Sequence, residues 1–236
     1  MIPFAIKQAL GRNTITREDL IKLSNRLDAA YNCVAHFEAL EEKRGYDIGK
    51  QFPVDLYKSG TQKLLLDHWL SNEPDTCILD GDGYNFDAGL AGCEWAAFLR
   101  VRDPSAVVLH VYPKDRTGRM EHVLCQLLSS LIYNLASLVP ERFEKTSSLC
   151  KRNFEVLAQG GRLGIDAGLG ILESLPLLDL DGRKMLCIIQ GLDRDGNGGI
   201  GDNGRPLMAV VEALLAQNNG RLLCTVAKRK SSLHSN

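Results

Sequence analysis

Apolar positions along the chain repeat with two periods, and the switches between them mark out the elements. Leu20, Leu23, Leu27, Ala30, Val34 and Phe37 are spaced 3, 4, 3, 4 and 3 residues apart, which draws one narrow stripe along a helix ending near Gly45. Thr16 stands where its hydroxyl can accept the N3 amide, and Glu18 and Asp19 put negative charge at the positive end of the helix dipole. Such a stripe needs cover, either from the rest of this chain or from another chain in a coiled-coil-like contact. A second helical pattern, with Leu64, Leu65, Trp69 and Leu70 apolar, occupies residues 61–70. Between the two, Gly49, Pro53 and Gly60 interrupt both periods, so residues 46–60 read as a linker. The chain divides on this basis into a helical N-terminal arm with its linker, residues 1–58, and a larger domain, residues 59–236.

In the larger domain the pattern changes to short, near-continuous apolar runs at residues 76–79, 106–112, 185–190 and 222–226, separated by helix-length sequence. Strands that are apolar throughout, alternating with helices, predict an α/β domain whose mostly parallel sheet is covered on both faces, giving three layers. The spacing of Met120, Val123, Leu124, Leu127, Leu128, Leu131, Ile132, Leu135 and Leu138 predicts a strongly apolar helix that Pro140 ends. A further helix is expected over residues 206–215. Residues 157–180 are rich in glycine and show no clean period, which predicts a loop with a short helix near residues 169–174.

Composition narrows the classes. Hydrophobic residues at 44% and charged residues at 24% exclude a disordered or collagen-like chain. Lys and Arg number 28 against 29 Asp and Glu, so no global charge attracts nucleic acid or an acidic membrane, and neither is expected as a partner. Seven scattered cysteines, odd in number and set mostly in apolar runs, suit reduced core thiols and a cytoplasmic protein. The first eleven residues are too short and too polar for a signal h-region.

Ligands of an open parallel sheet sit beyond the carboxyl ends of its strands, so the loops there carry the candidate chemistry. After the first run come Asp80-Gly81-Asp82-Gly83 and then Phe86-Asp87-Ala88-Gly89 before a helical segment, the layout of a phosphate-binding loop. The third run closes in Gln190-Gly191-Leu192-Asp193-Arg194 and the fourth in Thr225. Taken in order, these elements resemble the NACHT-type nucleotide-binding module of the STAND signalling proteins, over residues 61–230. The resemblance implies a P-loop NTPase-like fold with a nucleotide, ATP or GTP, at Gly81, Asp82, Gly83, Asp87, Gln190, Asp193 and Thr225. With Gly81 as the family's first glycine, Phe86, Asp87 and Ala88 replace its second glycine, its lysine and its hydroxyl residue. Gln190 stands for the metal-associated carboxylate, Asp193 matches the second aspartate and Arg194 replaces the water-polarising glutamate. Losing the lysine matters because a unit charge pair about 4 Å apart is worth roughly 4 kcal/mol at an effective dielectric near 20. The resemblance therefore implies a regulatory or protein-interaction module without hydrolysis, its partner held by Leu20, Leu23, Leu27, Val34 and Phe37, with a homo-oligomer as the variant in which the partner is a second copy.

Two other readings of the same loops belong to different classes. An active nucleotide-dependent enzyme would bind phosphate with the amides around Gly81 and Gly83 and use Asp80, Asp82 and Asp87 for a metal. A calcium protein would use Asp193, Asp195 and Asn197, since residues 193–200 match the first eight positions of an EF-hand loop, although Gly204 stands where the bidentate glutamate belongs. An Asp-, Asn- and Gly-rich surface turn has the same composition. His110 lies inside an apolar run, where a buried, hydrogen-bonded histidine is expected rather than a catalytic one.

Overall fold

A computed structural model describes residues 14–31, 69, 71, 76–80, 96, 99–100, 102–114, 119–193 and 200–227. Strand β1 (Thr14–Thr16) leads into helix α1 (Arg17–Tyr31). Four parallel strands form the main sheet: β2 (Thr76–Asp80), β3 (Val107–Val111), β5 (Met185–Asp193) and β6 (Gly220–Ala227). Between β3 and β5 lie α2 (Met120–Ala136), β4 (Arg142–Glu144), α3 (Lys151–Gln159) and α4 (Gly161–Glu173), and α5 (Arg205–Gln217) joins β5 to β6. All four predicted strands and the predicted α2 are present, so the chain is an α/β fold with a parallel sheet flanked by helices.

The sheet order is β2-β6-β5-β3, so the chain crosses from one edge to the other and then returns strand by strand. Right-handed crossovers require the outward and return connections to lie on opposite faces. The core divides accordingly. Leu109 and Val111 of β3, Met185, Cys187 and Ile189 of β5, and Leu222 and Cys224 of β6 pack with α1–α5 in one cluster. Cys77, Leu186, Ile188 and Leu223 turn the other way and meet Trp69, Ala96 and Leu99. Because both faces are covered, residues 185–189 are buried without a break, which is why the run shows no alternation.

Helix α1 begins as its residues dictate. Asp19 N–H donates to Thr16 Oγ1 at 3.1 Å while Thr16 N–H donates to Asp19 Oδ2 at 3.3 Å, a reciprocal capping box. The Thr16 hydroxyl bond also holds the Asp19 carboxyl below its ordinary range. Leu20 and Leu27 have no exposed surface, and Leu23 packs against the same cluster. Leu20 and Leu27 are thus covered within this chain, where α1 packs on α2 and α3, which corrects the expectation that these two leucines hold a partner, while Leu23 keeps part of its surface exposed. Val34 and Phe37, and the proposed boundary at residue 58, lie outside the described residues.

The loop expected over 157–180 is instead α3 and α4 joined at Gly160 and Gly161, both with positive φ. Its glycines are packing residues. A Cβ on Gly168 would stand 3.0–3.2 Å from Leu128 and Leu157, and one on Gly164 3.2 Å from Cys125 Sγ, so their absence lets α4 lie close on α2 and α3. The turn into β6 is also close-fitted: Asn218 Nδ2 donates to the Leu214 carbonyl at 2.7 Å, and Asn218 Oδ1 accepts from Leu178 N–H at 2.9 Å. The five described cysteines are free thiols. Burial pushes Cys77 up to about 11 and Cys187 up to about 12, and raises Cys224 as well, so these three stay protonated at neutral pH.

Candidate functional site at the carboxyl edge

Register places the ends of three strands side by side. Leu79 of β2, residue 225 of β6 and Gln190 of β5 form one row across the sheet, and Asp80, Val226 and Leu192 form the next. β2 and β5 therefore end at the same edge, with β6 between them. Gly81, Asp82, Gly83, Asp87, Asp195 and Asn197 are outside the described residues. Asp193 is the last residue of β5 and pairs in register with Ala227; Thr225 pairs with both Leu79 and Gln190.

Gln190 is the best-defined group at this edge. It is 1% exposed, at the end of the apolar part of β5, and its Oε1 lies 2.9 Å from His110 Nε2 of the neighbouring strand. With Oε1 as acceptor, the imidazole carries its hydrogen on Nε2. Burial is the main reason the His110 pKa is pushed down to about 4, the hydrogen bond with Gln190 opposing it and Arg100 adding to it. At neutral pH both partners are uncharged. An amide oxygen already engaged by an imidazole N–H offers little to a divalent cation, which prefers carboxylate oxygens, and neither group can polarise water as a carboxylate would. Across the same sheet face, the His110 and Tyr112 rings lie 6.4 Å apart in a stacked arrangement.

Immediately beyond Gln190 the β5–β6 register slips, and Gly191 takes φ +95°. Before this bulge the odd residues Met185, Cys187 and Ile189 face the helical core; after it the even residue Leu192 does. A bulge in a parallel pair is uncommon, and bulges recur beside functional sites because they re-aim the side chains beyond them. Sequence reading placed Gln190 and expected a hydrogen-bonded His110, yet paired neither with the other and missed the bulge. Two polar residues interrupting adjacent apolar runs, and a glycine after Gln190, were the available signals.

Among the described residues no group of three His, Cys, Asp or Glu side chains is arranged to hold a metal. Asp202, the substitute ligand of a calcium loop, is exposed and ion-paired to Arg205 at 3.2 Å. No helix among the described residues is long and apolar enough to cross a membrane. Comparison with protein-family models, with curated proteins and with solved structures returns no match.

Proposed function

We propose that the chain is a regulatory module built on a P-loop NTPase-like fold of the NACHT type that does not hydrolyse nucleotide. The observation that carries this reading is the uncharged pair formed by the buried Gln190 of β5 and the half-buried His110 of β3, where the resemblance expects a metal-associated carboxylate. The sheet order supports it, since a phosphate loop, an acidic strand end and a sensor residue act on one ligand only if β2, β5 and β6 end together. The substitutions at Phe86, Asp87, Ala88 and Arg194 point the same way. Any partner surface lies away from Leu20 and Leu27, which this chain's own core already covers.

Two measurements test the reading together. Melting curves with ATP, ADP or GTP, each with and without Mg²⁺, should show any nucleotide-induced stabilisation to be independent of the metal; ligand at 100 times its dissociation constant stabilises by about 2.7 kcal/mol. Phosphate release from ATP or GTP with Mg²⁺ or Mn²⁺ should stay at background. Turnover that disappears in Asp82→Ala would replace this reading with the unconventional enzyme.

A further inference from the structure

Helices α4 and α5 leave a groove between them that the nucleotide-module reading does not use. Leu172, Glu173 and Leu175, at the carboxyl end of α4, form one wall, and Val210, Ala213 and Gln217 of α5 form the other, enclosing about 280 Å³. Helix α5 starts beyond the carboxyl end of β5 and finishes at the amino end of β6, so its last turns lie away from the Gln190 edge.

The groove is apolar within and polar at its mouth. Leu172 is 1% and Leu175 8% exposed, and Val210 is half-buried against the same core. Ala213 is exposed, and its single methyl group keeps the space open. Glu173 and Gln217 are exposed as well, and each is the last residue of its helix. The Glu173 carboxylate has neither an ion pair nor a hydrogen bond among the described residues. Its position is electrostatically unfavourable, because the carboxyl end of a helix carries the negative end of the dipole and favours cations. No basic residue in the last turn of α4 or of α5 offsets it. Sequences that fold well break such a local rule chiefly at functional sites.

We propose that this groove binds a small organic cation, its ammonium group at the Glu173 carboxylate and its compact apolar body between Leu172, Leu175 and Val210. The unpaired carboxylate and the uncompensated helix ends set the sign of the ligand, and a charge-assisted hydrogen bond to an ammonium group is the contact they favour. The apolar walls require more than a bare ion. The volume sets the size, since sites for drug-sized ligands run from about 300 Å³ upward and this one admits about one ring with its cationic group.

Calorimetry on the full chain at neutral pH tests the assignment, with cyclohexylammonium and phenethylammonium as probes and methylammonium and cyclohexanol as the half-ligands. The organic cations should bind saturably, and each half-ligand about tenfold more weakly or worse. Glu173→Gln should weaken binding by about tenfold and melt no lower than wild type, because the fold makes no use of that charge, and Glu173→Lys should weaken binding further. Ala213→Leu, which fills the groove from an exposed position, should weaken both probes by about tenfold or more while keeping the wild-type circular dichroism spectrum. Absence of heat with both organic cations overturns the proposal. So does methylammonium binding as tightly as cyclohexylammonium, which would mean a bare-ion site, and so does cyclohexanol binding as tightly, which would mean a groove that does not read charge. Binding that either Glu173→Lys or Ala213→Leu leaves unchanged would put the ligand elsewhere, and a Glu173→Gln protein that melts lower than wild type would make the carboxylate structural; each of these results overturns it too.

Discussion

The two edges of the sheet are furnished by opposite rules. At the carboxyl edge the defining polar groups, His110 and Gln190, are uncharged, bonded to each other and withdrawn from water. At the amino edge Lys184 is charged and exposed, beside the buried Leu186. A solvated charge costs the fold little, whereas a buried polar group has to be satisfied by the protein itself. The difference predicts that substitutions of the polar pair at the carboxyl edge register in stability, and that a substitution of the exposed Lys184 at the amino edge does not.

The largest expected effect is a pH dependence at the carboxyl edge. His110 is neutral in the fold down to about pH 4 but titrates near 6.5 once exposed, so between these values the unfolded chain binds more protons. Its contribution is therefore intact above pH 6.5 and falls away as the pH drops toward 4, by up to about 3 kcal/mol. Urea unfolding at both ends of this window should show wild type losing more stability than His110→Asn; equal losses would mean that the imidazole is not held neutral. Next comes Gly191→Ala, which forces a side chain onto a φ of +95° and should cost about 1–2 kcal/mol in the same assay. An unchanged midpoint would show that the bulge relaxes freely. The smallest effect belongs to the amino edge, where Lys184→Glu should alter stability by no more than about 0.5 kcal/mol. A larger loss would make that edge structural and erase the contrast.

Much of this architecture was legible beforehand because burial on both sheet faces leaves a plain trace, the near-continuous apolar runs at residues 185–189 and 222–224. The start of α1 was equally plain, since Thr16 and Asp19 cap it through contacts three residues apart. What failed to show was decided at long range. Gly164 and Gly168 look like helix breakers until Leu128 of α2 and Leu157 of α3 are seen beside them, because the cost of glycine in a helix is local and the benefit of close approach is not. For the same reason the α1 stripe could not name its own cover. His110 and Gln190, and likewise Trp69 and Arg221, become neighbours only through the order of strands in the sheet. Nothing in a linear pattern encodes that order.

The position of β6 bears on how such a chain acquires its shape during synthesis. It is the last of the described strands in chain order, yet it sits inside the sheet, bonded to β2 on one side and β5 on the other. Until residues 220–227 leave the ribosome, β2 has no partner among the described strands and β5 presents an open edge to any chain that can pair with it. The helices that follow β3 can assemble earlier, but joining β2 to β5 waits for the eight-residue β6. A nascent chain of this design is most open to mispairing in the interval after β5 has emerged and before β6 has, and a stall within residues 194–219 would prolong that interval.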